Sequence, residues 1–187
     1  TKLGAEHLCQ IIARNRKLPV IVLRTSRFFP EEDDNASQRS AYSIDNLQAL
    51  ELLHRRVDIA DIVSAHRLAI EKAPALGFDR FIISASSPFT RDDLPLLNRD
   101  ARAVIARHYP RAEALFAQAG WSFPGAMDRV YVNAHARATL GWAPRHDFAH
   151  VLDCLAAGRD FRSDLAVAIG RKGYHDELFE DGPFPVE

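Results

Sequence analysis

Leu8, Ile11 and Ile12 recur at helical spacing near the start of the chain, while Glu6, Gln10 and Arg14 occupy more polar faces. The spacing predicts a helix, and Pro19 stops it from continuing. Val20-Ile21-Val22-Leu23 then forms an unbroken apolar run rich in β-branched residues. Such a run suits a strand buried on both faces, as in a parallel sheet covered by helices. Four polar side chains, Arg24, Thr25, Ser26 and Arg27, follow at once. Ligands of open α/β sheets sit beyond the carboxyl ends of the strands, so these residues mark a candidate site.

Further along, the acidic run 31–34 and the polar stretch 35–43 read as a loop, either a solvated face or a lid or subunit contact. Ser43 can cap a helix over 44–54 with Ile44, Leu47, Leu50 and Leu53 as its buried stripe. Residues 55–59 read as a short extended piece. A helix over 60–73 follows, with Ile62, Val63, His66, Ala69 and Ile70 on one face, Asp61 as a cap at its dipole and Pro74 as its stop. Arg80-Phe81-Ile82-Ile83-Ser84-Ala85 is the second clear strand, again ending in small polar residues. Thr90-x-x-Asp93 has the form of a capping box, after which a helix over 95–108 and a shorter one from 111 to 119, stopped by Gly120, are expected. Residues 127–132 alternate like a short strand. Asn133 caps a helix ending at Leu140-Gly141, Asp147 caps one over 148–157, and Ser163 or Asp164 caps another reaching Gly170. The tail 171–187 reads as a surface wrap. Strands alternating with helices make this an α/β chain.

Composition narrows the function classes. The chain has 187 residues, 47% hydrophobic and 26% charged, an ordinary globular profile. A net charge of −1 gives no electrostatic reason to expect nucleic acid or an anionic membrane as partner. No apolar run approaches the roughly 20 residues that span a bilayer, and a cytoplasmic location is expected. Cys9 and Cys154 both lie on apolar-periodic stretches and read as buried free thiols rather than a disulfide. His146-x-x-x-His150 has the spacing of two metal ligands, but Asp147 serves better as a cap and no third ligand is apparent, so no metal is expected. His66 reads as a satisfied core histidine.

Thr1-Lys2-Leu3-Gly4-Ala5-Glu6, a helix, and then Leu18-Pro19-Val20-Ile21-Val22-Leu23-Arg24 resemble the middle of an extended short-chain dehydrogenase/reductase, the family of NAD(P)-dependent epimerases and dehydratases. Asp61-Ile62 matches the Asp-Val that opens a helix there, and Leu140-Gly141-Trp142-Ala143-Pro144 is similar to the Leu-Gly-Trp-x-Pro that closes another. His135 stands where a lysine is common. The resemblance implies the C-terminal part of a doubly wound Rossmann-type parallel sheet plus a smaller, mostly helical substrate-binding lobe. Residues 1–87 would belong to the dinucleotide-binding domain, with an inserted substrate segment at 28–56, and 88–187 to the substrate lobe and tail. The family's Tyr-x-x-x-Lys motif would have its lysine at Lys2 and its tyrosine before Thr1, and the glycine-rich loop would lie further upstream. A chain limited to these residues is expected to be unstable or to aggregate through its open sheet edges.

The resemblance also assigns roles. Lys2 would be catalytic, lowering the tyrosine pKa and holding the nicotinamide ribose of NAD or NADP. Thr25 and Ser26 would pass beside the cofactor. Ser26, Arg27 and Phe28 would touch a small-molecule substrate, a nucleotide sugar or a related hydroxyl or carbonyl compound. Many relatives carry Asn where Arg27 stands, and its fixed fork of donors suits a carboxylate or phosphate; the alternative is that Arg27 merely pairs with 31–34. Arg56 and Arg129 are further candidates for substrate phosphates, on the family analogy. A homodimer through the first helix is implied. Two other readings stand beside this oxidoreductase: a non-catalytic substrate-binding or assembly module derived from the family, and a reductase of a non-sugar carbonyl on the same scaffold.

Overall fold

The computed structural model describes residues 1–29 and 36–170; the acidic run and the tail singled out above lie outside them. The chain is α/β, mostly helical around one small parallel sheet. Helix α1 (Lys2–Arg16) leads into strand β1 (Val20–Thr25). Then come α2 (Ala36–Ala41), α3 (Ile44–Glu51), α4 (Ile59–Leu76) and strand β2 (Phe78–Ile83). The two strands pair in parallel, Val20 opposite Phe78 and Thr25 opposite Ile83. Helices α5 (Leu94–Leu97), α6 (Ala101–His108), α7 (Ala112–Ala119), α8 (Ala134–Leu140), α9 (Phe148–Ala156) and α10 (Asp164–Ile169) complete the described chain.

Local chemistry accounts for most boundaries. Lys17, in the left-handed region at φ 55°, ends α1 before Pro19 is reached. Ser43 Oγ accepts from the Asn46 amide, Asp147 from that of His150 and Ser163 from that of Ala166, each the expected cap. Thr90 and Asp93 close the capping box, here around a 3-10 turn. Gly120 and Gly141 adopt positive φ where α7 and α8 stop.

Several expectations are corrected. Residues 36–41 are helical rather than loop; they lack an apolar stripe, which hid a short helix. Helix α3 ends at Glu51, and turns carry the chain to Arg55. Helix α4 runs through Pro74 to Leu76; the hydrogen bond that proline forgoes would have gone to the carbonyl of Ile70, a residue on the exposed face of the helix. The cap of α4 is Asp58, whose carboxylate accepts from Ala60, while Asp61 is buried one turn in. The helix expected over 95–108 is split into α5 and α6 by Asn98-Arg99-Asp100, and Asp100 caps the second piece. No strand forms over 127–132, which has no adjacent strand to complete its backbone pairing. Asn133 does stand at the N-cap position of α8 but makes no side-chain cap bond; its Nδ2 donates to the Ser84 carbonyl and the Ser86 hydroxyl.

Burial also departs from the pattern. On α1 only Ala13 is buried, and Leu3, Leu8 and Ile11 are more than half exposed. Of the five positions read as one face of α4, Ile62 and Ala69 are buried, joined by Ala65, while Val63, His66 and Ile70 face solvent. Strand β1 is half-buried rather than covered on both faces, since a two-stranded sheet has little to cover it. Both cysteines are free thiols, Cys154 buried and Cys9 half-buried.

Two cores result. Leu50, Leu53, Leu97, Ile105, Phe116 and Phe148 belong to the helical core. Phe81, Ile83, Val57, Ile62, Leu140 and Trp142 form the second, between the sheet, α4 and α8. The Leu-Gly-Trp ending of α8 therefore packs back on the sheet layer. Trp142 Nε1 donates to the Asp61 carbonyl at 3.1 Å and to Ser64 Oγ at 2.9 Å. Trp142→Phe keeps most of the packing and removes both bonds, so it is expected to cost about 1–2 kcal/mol, read as a lower urea midpoint at unchanged slope.

Candidate functional site

The carboxyl ends of the strands are identifiable from side-chain pairs. Glu6 binds Arg24 with both oxygens, at 2.8 and 2.6 Å, and Gln10 accepts from Arg80 at 2.8 Å. Helix α1 thus runs antiparallel to the strands, with its first turn at their carboxyl ends. The Arg24 guanidinium holds the Glu6 carboxyl below its ordinary pKa. Lys2 lies one turn beyond Glu6, at the same end as Thr25 and Ser26, and is exposed. Thr25 closes the strand register and is exposed. Ser26 is 3% exposed, its amide bonded to the Ile83 carbonyl. Its hydroxyl and that of Ser84, one residue past the end of each strand, are both buried with no hydrogen-bond partner among the described residues.

The substrate-side candidates gather on one carboxylate. Arg27 and Arg56 form an isolated parallel bridge, with the Val57 amide donating to the Arg27 carbonyl at 3.0 Å. Their side chains meet at Glu51, which is 1% exposed. Arg56 Nη1 lies 2.7 Å from its Oε2, Arg55 Nη2 2.9 Å from Oε1 and Arg27 Nη1 3.4 Å from Oε1. Arg56 is itself 6% exposed and also donates to the Phe29 carbonyl. Burial pulls its guanidinium below its ordinary pKa, and Glu51 works against that. Glu51 is thus one partner of Arg27; the alternative pairing with 31–34 falls on residues outside the described ones. Arg129 stays apart: it is exposed and bonds the neighbouring Asp128 at 2.7 Å.

A cavity of about 260 Å³ opens against this cluster. Phe28, Phe29, Leu52, Val57, Ile59 and Phe161 supply carbon walls, and Arg56, Asp58 and Arg162 stand among them. Of the predicted site residues, Phe28 and Arg56 line it; Lys2, Thr25, Ser26, Arg27 and Arg129 do not. Besides Arg56 its polar side chains are Gln48, Asp58 and Arg162, none of them free. Asp58 accepts from Ala60, from the Ser163 amide at 3.1 Å and from Ser163 Oγ at 2.6 Å. Arg162 bonds Asp160 at 2.7 Å.

A second polar cluster joins α4 to the segment before α9. The buried Asp61 carboxylate accepts from the Arg145 and His146 amides, each at 2.9 Å, and from His146 Nδ1 at 3.1 Å. Burial pushes the Asp61 carboxyl up, but the bonds from His146 and Arg145 outweigh it and the net shift is down. The same carboxylate raises the His146 imidazole. His150, 5.0 Å away ring to ring, shares a hydrogen bond with the Phe161 carbonyl. Among the described residues no three His, Cys, Asp or Glu side chains are grouped to hold a metal ion, and no helix is long and apolar enough to cross a membrane.

Glu51 and Phe161 are the residues that sequence reasoning missed. Glu51 carried a signal, a carboxylate four residues before Arg55 inside an otherwise apolar stripe. Phe161 carried none, because its contact with the cavity depends on how α9 and α10 fold back. No protein-family model, curated protein or solved structure matches the chain.

Proposed function

We propose that this chain is the C-terminal part of an NAD(P)-dependent oxidoreductase of the epimerase/dehydratase type. In this reading the tyrosine and the glycine-rich dinucleotide loop are upstream of Thr1. Lys2 would lower the tyrosine pKa and bind the nicotinamide ribose, Thr25 and Ser26 would border the cofactor, and the substrate would lie toward Arg27, Phe28 and Arg56. The observation that carries the reading is the antiparallel run of α1 along a parallel strand pair. It leaves Lys2, in the first turn of α1, toward the carboxyl ends of the strands, the end at which the Ser26 and Ser84 hydroxyls are buried without partners among the described residues. Ligands of open α/β sheets bind at that end, and orphaned buried hydroxyls are the groups a bound ligand or water satisfies.

The test is cofactor binding by the protein carrying its upstream sequence. NAD(H) or NADP(H) at about a hundred times its Kd should stabilise it by about 2.7 kcal/mol, a rise of several degrees in Tm. Lys2→Ala should remove most of that rise. A melt unmoved by any of the four nicotinamide nucleotides at millimolar concentration overturns the reading.

A second reading, a non-catalytic substrate-binding or assembly module derived from the same family, is favoured by the apolar side chains that α1 exposes at Leu3, Leu8 and Ile11. The same face supports the homodimer through α1. Dimer dissociation on Leu8→Glu with no nucleotide effect would select the module.

A further inference from the structure

We infer that the cavity beside Arg56 takes a carboxylate on a compact apolar body, such as an aromatic or branched-chain acid, rather than a sugar. The inference deepens the oxidoreductase reading by naming its substrate class, and rests on that reading for the reaction though not for the binding. Two properties of the walls lead to it. First, they are mainly carbon: three phenylalanines, Phe28, Phe29 and Phe161, face Leu52, Val57 and Ile59. A pyranose would bring several hydroxyls into that space. The polar side chains there other than Arg56 are engaged, Asp58 by Ala60 and Ser163 and Arg162 by Asp160, and Gln48, the third, is not free either. Hydroxyls desolvated without partners are unfavourable, whereas an apolar ring gains from the same walls.

Second, one wall group has donors in hand. Arg56 carries five N–H donors, and its bonds among the described residues are those to Glu51 and to the Phe29 carbonyl. It is more than nine-tenths buried and lines the cavity. The Glu51 carboxylate that neutralises it is shared with Arg27 and Arg55. A guanidinium so held is rigid, and a carboxylate meets its fork with charge-assisted bonds stronger than neutral ones. The cavity volume, about 260 Å³, suits a body of one ring rather than a dinucleotide-sized ligand.

The probe is 3-phenylpropionate, followed by saturation-transfer NMR and calorimetry on the same protein used for the nicotinamide test, with 3-phenylpropanol, methyl galactoside and UDP as comparisons. The acid should bind and the alcohol should bind about tenfold or more weakly, since it lacks the charge-assisted bonds. The two sugar-side probes should neither bind in this cavity nor displace the acid. Ala166→Trp fills the space from α10, where Ala166 is a lining residue that takes no part in the Glu51 cluster, and should abolish binding while the melt stays cooperative. Arg56→Lys should keep the charge and lose part of the acid–alcohol preference; if it unfolds, Ala166→Trp still decides. Equal affinity for acid and alcohol, displacement by UDP or methyl galactoside, or unchanged affinity in a folded Ala166→Trp overturns the inference. Acid binding without a nicotinamide effect would leave the cavity assignment standing and remove the oxidoreductase. A nicotinamide effect with UDP in the cavity would do the reverse.

Discussion

Glu51→Ala is expected to lower folding stability by about 3–5 kcal/mol, the usual result of removing one partner from a buried ion pair. The reason is Arg56. With the carboxylate gone, a guanidinium 6% exposed loses its 2.7 Å counter-charge and keeps its desolvation penalty. Arg27 and Arg55, which meet the same carboxylate, would be left crowding it with like charge. For a domain of this size each kcal/mol moves Tm by about 2–4 °C, so the variant should melt on the order of 10 °C lower. Glu51→Leu combined with Arg56→Leu should recover much of the loss, because an apolar pair of similar volume removes both charges together. Urea titrations of the single and double variants check this. A loss below about 1 kcal/mol in Glu51→Ala would mean that water reaches the cluster, and Arg56 could not then serve as a rigid anchor.

The second large effect is on pH dependence. Burial, assisted by the neighbouring Arg55 charge, drives the His54 imidazole down to about 4, against about 6.5 in an unfolded chain. The unfolded state therefore binds the proton first. Stability is whole above about pH 6.5 and falls as the pH drops from there toward 4, by up to about 3 kcal/mol. The Asp61–His146 pair acts on other limbs. His146 is raised, so its contribution is complete below about pH 6.5 and is lost as pH rises through the higher folded value. Asp61 is lowered, so its contribution is present above the ordinary carboxylate value of about 3.9 and lost as pH falls through the folded value. A stability maximum near neutrality is expected, with a steeper acid side. Urea midpoints at a series of pH values should show His54→Gln flattening the acid limb and His146→Gln the alkaline one. An unchanged acid limb in His54→Gln would mean that His54 is solvated in the folded protein.

Where a single residue decides local geometry, the sequence was legible. Ser43, Asp147 and Ser163 cap because an oxygen beside a free amide has few better uses, and both apolar runs became strands in parallel register. Apolar periodicity misled where it met no partner: Ile11 on α1 and Ile70 on α4 have the right spacing and lie exposed. Alternation over 127–132 misled for a similar reason, because a strand needs a neighbour and spacing cannot supply one. For the candidate site, Arg27 and Arg56 were visible as cations and Phe28 as an apolar neighbour. Their common carboxylate, Glu51, stood four residues before Arg55 and could have been read from that spacing, whereas the Phe161 wall comes from a segment more than a hundred residues away, which no local pattern encodes.

The grip of Trp142 and of the Arg145 and His146 amides on Asp61 spans 81 to 85 positions, and Ser163 reaches back 105 to Asp58. Closing loops of that length comes late in folding. During synthesis, β1 and β2 emerge long before the segment that seals their layer, so the nascent chain carries an unfinished apolar surface while some sixty further residues are added, at about 5–20 residues per second. For those seconds the ribosome-bound protein is at its most dependent on chaperones.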